Sequence, residues 1–157
     1  MSYAARVLQP GETIVYQARI HWIVYLGGIV LVVAAVALAI AAVMLHGDPV
    51  RVGLLVGAVV VMLTGLVHMV RAWIKVAGTE ITVTGRRVIY KTGILSRSTV
   101  EMNLDKVESV LVQQTLLGRM LDFGTVIVRG VGAGLEPVDR VANPLELHRH
   151  IGAPAAS

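Results

Sequence analysis

The sequence predicts an α+β membrane protein: a two-helix transmembrane hairpin, then an antiparallel β-barrel or sandwich with a C-terminal helix. Two apolar stretches carry the first half of that reading. Trp22 to Leu45 runs twenty-four residues without a charge, and Val52 to Val70 runs nineteen with only Thr64 and His68 as polar interruptions. At about 1.5 Å per helical residue the first stretch reaches roughly 36 Å, more than the ~30 Å hydrocarbon core, and in lipid a helix satisfies its own backbone. The second half rests on a change of period after Lys75, where alternating segments separated by turn residues replace the apolar runs.

Residues 1–21 form an N-terminal segment. Leu8-Gln9-Pro10-Gly11 is a turn signal and Thr13 to Ala18 is β-prone, a candidate edge strand on the domain that follows the helices. A loosely ordered tail is the competing reading.

The hairpin spans residues 22–74, with helices at about 22–45 and 52–73 and the turn His46-Gly47-Asp48-Pro49-Val50-Arg51 between them. A soluble protein of 157 residues has too little remaining sequence to bury forty-three such residues as core. A cleavable signal peptide is disfavoured, because the first stretch starts twenty-one residues in, is too long and lacks a small-residue cleavage site. Arg6 and Arg19 precede the first helix and Arg71, Lys75, Arg86 and Arg87 follow the second, while the turn has Arg51 offset by Asp48. The positive-inside rule therefore puts both termini in the cytoplasm. Trp22, Tyr25 and Trp73 fall at the same membrane face as the cations, as an aromatic belt does. Arg19, Arg71 and Lys75 are expected at the headgroups, contributing about 1 kcal/mol each on an anionic surface.

Small residues mark packing faces. Gly28, Ala35 and Ala42 recur every seven residues in the first helix; Gly53 and Gly57 make a GxxxG in the second, and Gly65 continues it. Such faces let helices approach closely in lipid. They can pack the hairpin itself or join protomers, and two faces exceed the need of one pair, which favours a homo-oligomer.

Residues 76–152 make the domain and 153–157 a tail. Strands are expected over 80–84, 87–91, 94–104, 107–113, 124–129 and, more weakly, 135–141. Asn143-Pro144-Leu145-Glu146 opens a helix, with Asn143 as N-cap, Pro144 at N1 and Glu146 at N3 as in a capping box; Gly152 stands just past its end. Between strands, Gln114 to Leu121 reads as a helical turn or ordered loop. Leu117 and Leu121 are expected to plug one open end of the barrel. Leu116 and Met120 share a face four residues apart, with Arg119 beside them, and are expected to contact the membrane surface or a neighbouring protomer.

Together, Glu80 to Thr84 with Arg86-Arg87-Val88-Ile89, Gly93-Ile94-Leu95, Leu104 to Val110, Gln113 to Gly118 and Phe123 to Val126 resemble the bacterial pleckstrin-homology-like (PH-like) family, also described as the membrane-flanked domain. Upstream, Pro10-Gly11-Glu12 and His21-Trp22 resemble the segment leading into the first membrane helix of its members. The resemblance implies a PH-like domain anchored at the bacterial inner membrane and brings no catalytic residues.

Enzyme chemistry is not expected. Gly130 to Gly134 lacks the following helix that a phosphate loop needs, His148 and His150 point to different faces, and the carboxylates are scattered. No cofactor and no metal are expected, and the sequence has no cysteine. From Val76 onward nine Lys/Arg meet eight Asp/Glu, so the basic face that nucleic acid requires is missing. Two roles remain: a scaffold that self-associates or recruits another membrane or cytoplasmic protein, or an anionic-lipid reader using Arg71, Lys75, Arg86 and Arg87. Membrane lipids are partners in either.

Overall fold

The computed structural model describes residues 7–9, 11–44, 48–94, 98–131, 133–134 and 137–152. His46 and Gly47 of the expected turn, Leu95, Gly132 of the glycine-rich segment and the 153–157 tail lie outside them. The chain divides into two compact units, one from Trp22 to Ile74 and one made of the residues through His21 together with those from Lys75.

In the first unit a single 3₁₀ turn, Trp22–Tyr25, leads into α1 (Leu26–Met44); α2 runs Asp48–Gly78. Helix α2 is longer than expected at both ends. Asp48 suits the positive N-terminus of a helix, and Pro49 is tolerated in a first turn whose N–H groups have no helical acceptor. At the other end no proline or turn pair stops the helix before Gly78. Both helices are long and apolar enough to cross a membrane. They pack antiparallel: a Cβ on Gly28 would lie 3.2 Å from the Gly65 carbonyl oxygen and 2.6 Å from Met69 Cγ. Ala35 and Ala42 are also buried. Beyond that close crossing, Ala35, Ala39 and Val43 of α1 and Leu55, Ala58 and Met62 of α2 line an apolar groove of about 760 Å³.

The second unit holds two antiparallel sheets. The first has the order β1 (Ile14–Ala18), β2 (Glu80–Thr84), β3 (Arg87–Thr92), β4 (Ser98–Asn103). The segment before the helices is thus a strand, with Ala18 opposite Ile81 and Gln17 opposite Thr82. In the second sheet β6 (Phe123–Gly130) pairs on one side with β5 (Val107–Gln113) and on the other with β7 (Ala133–Gly134) and β8 (Val138–Ala142). A closed barrel does not form. Among the described residues the sheets share only the single bridge Ile20–Val141 on one side, and a 3₁₀ turn at Leu104–Lys106 separates β4 from β5. The result is a sandwich, whose core combines Ile81 and Val88 of the first sheet, Val126 and Val138 of the second, and Leu147 and Ile151 of the closing helix α4 (Pro144–Gly152). The alternation that a sandwich requires is clear in β6, where Gly124, Val126 and Val128 are buried between less buried neighbours.

The capping box expected at α4 is not made. Asn143 has φ +50° and its N–H donates to the Asp122 carbonyl at 3.0 Å, while the Glu146 carboxylate accepts from Arg149 at 2.9 Å. The reciprocal bond lacks both of its partners.

The sandwich has two ends. At the helix-attached end lie Arg19 to His21, Lys75 to Glu80, Phe123 and the last residues of β8: Ala142 N–H donates to the Arg19 carbonyl, and His21 N–H to the Arg140 carbonyl at 2.6 Å. At the distal end lie the Gly85-Arg86 turn and Asn103 to Lys106, joined by the Leu104 N–H to Arg86 carbonyl bond. The five residues of β2 put about 17 Å between these ends.

Candidate functional site

At the distal end the sequence segments around Glu12 and Arg87 meet in one buried network. Arg87 grips Glu12 with two bonds, Nε to Oε1 at 3.0 Å and Nη2 to Oε2 at 2.8 Å. Its Nη1 donates to Glu101 Oε2 at 2.7 Å and Nη2 also reaches the Val7 carbonyl at 3.0 Å. Thr84 Oγ1 donates to Glu12 Oε1 at 2.7 Å, and the Gln9 N–H donates to Oε2 at 3.0 Å. Burial pushes the Glu12 carboxyl up, but the Arg87, Gln9 and Thr84 bonds outweigh it and hold the group at about 2 rather than 4.5. Arg87 is pushed up in turn, chiefly by its bonds to Glu12.

Arg87, expected among the headgroup cations, is turned into the sandwich instead. Its guanidinium is committed to two carboxylates, and releasing it would strand the buried charge of Glu12. Arg86 is exposed, but it sits in the distal turn, a strand's length from Arg19 and Lys75. The cations expected at the lipid headgroups thus lie in different places: Arg19 and Lys75 are at the helix-attached end of the sandwich, Arg86 and Arg87 at the distal end. Arg71 and Trp73 are exposed on α2, Trp22 is exposed at the start of the helical unit, and Tyr25 is half-buried.

The small residues of the helices also divide. Gly28, Ala35, Ala42 and Gly65 are buried. Gly28 and Gly65 pack α1 against α2 directly, since a Cβ on Gly65 would lie 3.0 Å from Val32. Gly53 and Gly57 have open space where a Cβ would stand. Among the described residues the Gly53–Gly57 face takes no part in the hairpin's own packing.

The segment after β5 folds as a short helix, α3 (Leu116–Met120). Thr115 caps it, accepting the Gly118 N–H at 3.0 Å, and Gln114 Nε2 bridges to the Gly118 and Phe123 carbonyls. Gly118 is required, because a Cβ there would lie 2.6 Å from the Phe123 oxygen. This turn is built firmly, yet its apolar side chains point away from the core: Leu116 and Met120 are each 81% exposed, Leu117 66% and Leu121 42%. Leu117 and Leu121 therefore do not plug the sandwich. The space between the sheets is filled by Leu147 and Ile151 of α4 instead. Arg119 is exposed beside them.

Of these features the sequence reading missed the partners of Arg87: Glu12, Thr84 and Glu101. One signal existed. Glu12 is the only acidic residue before Asp48, and it directly follows a turn.

Two packed antiparallel sheets are closed by a C-terminal helix, with an apolar turn at one end and a polar network at the other. The model of the bacterial PH domain family matches residues 18–155, and the chain belongs to that family. PH domains are generally non-catalytic interaction modules. No curated protein and no solved structure matches the chain.

Proposed function

We propose that the chain is a membrane-anchored PH-like scaffold, non-enzymatic, that self-associates or recruits a protein at the cytoplasmic face of the bacterial inner membrane. One observation carries the anchoring. Strand β1 precedes the two apolar helices and pairs with β2, which follows them, so the chain returns to the side it left. Helices of this length that leave and return cross a bilayer as a pair. Exposure supports the same reading, because only 17% and 11% of the most apolar windows of the two helices are buried, unlike core helices of a soluble protein. Arg19, Arg71 and Lys75 lie in sequence just before the first helix and at the end of the second, and by the positive-inside rule this cation pattern favours cytoplasmic termini. A reporter fused after Ser157 is expected to read cytoplasmic, and an Asp48→Cys variant to react with an impermeant thiol reagent in intact cells. Reaction only after the membrane is breached would overturn the orientation.

Self-association is supported by the open GxxxG face. The particle extracted in mild detergent is expected to have a mass of more than one protomer, or to carry a second protein. Gly57→Leu should reduce that mass without disturbing the helix pair, whereas Gly28→Leu should splay the pair by forcing a side chain into Met69. A wild-type particle of one protomer with nothing bound would overturn the scaffold reading. The anionic-lipid reading through Arg71, Lys75, Arg86 and Arg87 is weaker, since Arg87 is occupied and Arg86 lies at the distal end.

A further inference from the structure

We propose that the helix-attached end of the sandwich is itself a membrane-contact surface, with α3 seated in the headgroup–acyl boundary of the bilayer. The inference rests on the reading that α1 and α2 span that bilayer. Its basis is a short chain of contacts within the sandwich. His21, the residue before Trp22, stacks its ring on Phe123 with centroids 5.3 Å apart. The carbonyl of Phe123 in turn lies against Gly118, the centre of α3. Two contacts thus connect the point where the chain enters its first apolar helix to the most exposed apolar side chains of the sandwich. A second element converges on the same end. Gly78, the last residue of α2, packs on Gly93 and Ile94, and Ile94 is 40% exposed.

The exposure at α3 is a built property of the turn. The Thr115 cap, the Gln114 bridge and the close approach of Gly118 fix the backbone so that Leu116, Leu117 and Met120 project outward together. In water such a patch would be costly to maintain. At the end from which two membrane helices depart, the bilayer is the apolar surface within reach. Amphipathic helices lying in the interface bury their apolar face about 5–10 Å into the headgroup–acyl boundary, and a cation beside that face reaches back to the phosphates. Arg119 occupies that position. A second copy of the chain is the competing occupant, and the dilution arm of the test separates it from lipid.

The absence of cysteine makes the test direct. In full-length chain reconstituted into phosphatidylethanolamine–phosphatidylglycerol vesicles, single Met120→Cys and Leu116→Cys variants carry an environment-sensitive fluorophore. Arg86→Cys marks the distal end and Val59→Cys the middle of α2. The probes at Met120 and Leu116 are expected to shift to the blue and to be quenched by lipids spin-labelled near the headgroup, as an interfacial depth predicts. The probe at Arg86 should do neither. Quenching at Val59 by lipids spin-labelled deep in the acyl chain, with none at Met120 or Leu116 by the headgroup label, overturns the contact alone; no quenching at Val59 by the deep label overturns the spanning reading with it. A blue shift at Met120 that lipid does not quench, and that fades as protein is diluted into lipid, assigns the patch to a second copy and overturns the lipid proposal.

Discussion

Arg87→Met is expected to destabilise the sandwich by about 3–5 kcal/mol, because it leaves the carboxylate of Glu12 buried without its counter-charge. Arg86→Met, one residue away but exposed in the turn, should stay within about 0.5 kcal/mol of the parent. Thermal unfolding of the full chain in detergent distinguishes them, and equal losses would show that the network is not what holds the distal end. Glu12→Gln combined with Arg87→Met should lose less than the two single losses added, as for residues in one network. Acid provides an independent readout. The Glu12 carboxyl is held at about 2, below its ordinary 4.5. The stability it contributes is complete above that ordinary value and is lost as pH falls from there through about 2. Wild-type and Glu12→Gln stabilities should therefore converge across that window. Curves that stay parallel would remove Glu12 from the acid response.

Leu147→Ala is the second large effect. Leu147 is 1% exposed, on the inward face of α4 between the sheets. Truncating it should cost about 2–5 kcal/mol, the range for deleting a buried leucine. The double change Leu116→Ser with Met120→Ser removes two apolar side chains of similar size and should leave the unfolding temperature of the detergent-solubilised chain nearly unmoved. Only membrane or partner contact should suffer. Were that double variant to unfold as readily as Leu147→Ala, α3 would be part of the core after all.

These contrasts show which parts of the molecule are legible in one sequence. Apolar runs and period-2 alternation are local signals, so two apolar helices followed by antiparallel strands can be read directly. The partners across long sequence distances cannot. Arg86 and Arg87 look alike as neighbours in a turn, yet strand β3 turns Arg87 inward to an acid seventy-five residues away and leaves Arg86 outside. Leu117 and Leu121 look like core by composition. What excludes them is that Leu147 and Ile151 already fill the interior, a fact of packing with no local trace. Pattern also failed at α4, where Asn, Pro and Glu stand at the right spacing for a capping box. The N–H that the box needs is taken by Asp122, twenty-one positions upstream.

The pairing of β1 with β2 has a consequence for how the protein is made. Ala18 meets Ile81, sixty-three positions later. At bacterial synthesis rates of roughly 5–20 residues per second, the first strand waits several seconds for its neighbour. During that time it has no hydrogen-bonding partner along either edge within its sheet. If the intervening helices cross the bilayer as a pair, β2 emerges beside β1 and the sheet closes. A chain that inserts only one helix leaves its first strand on the opposite side from the rest, and its sandwich can never be completed.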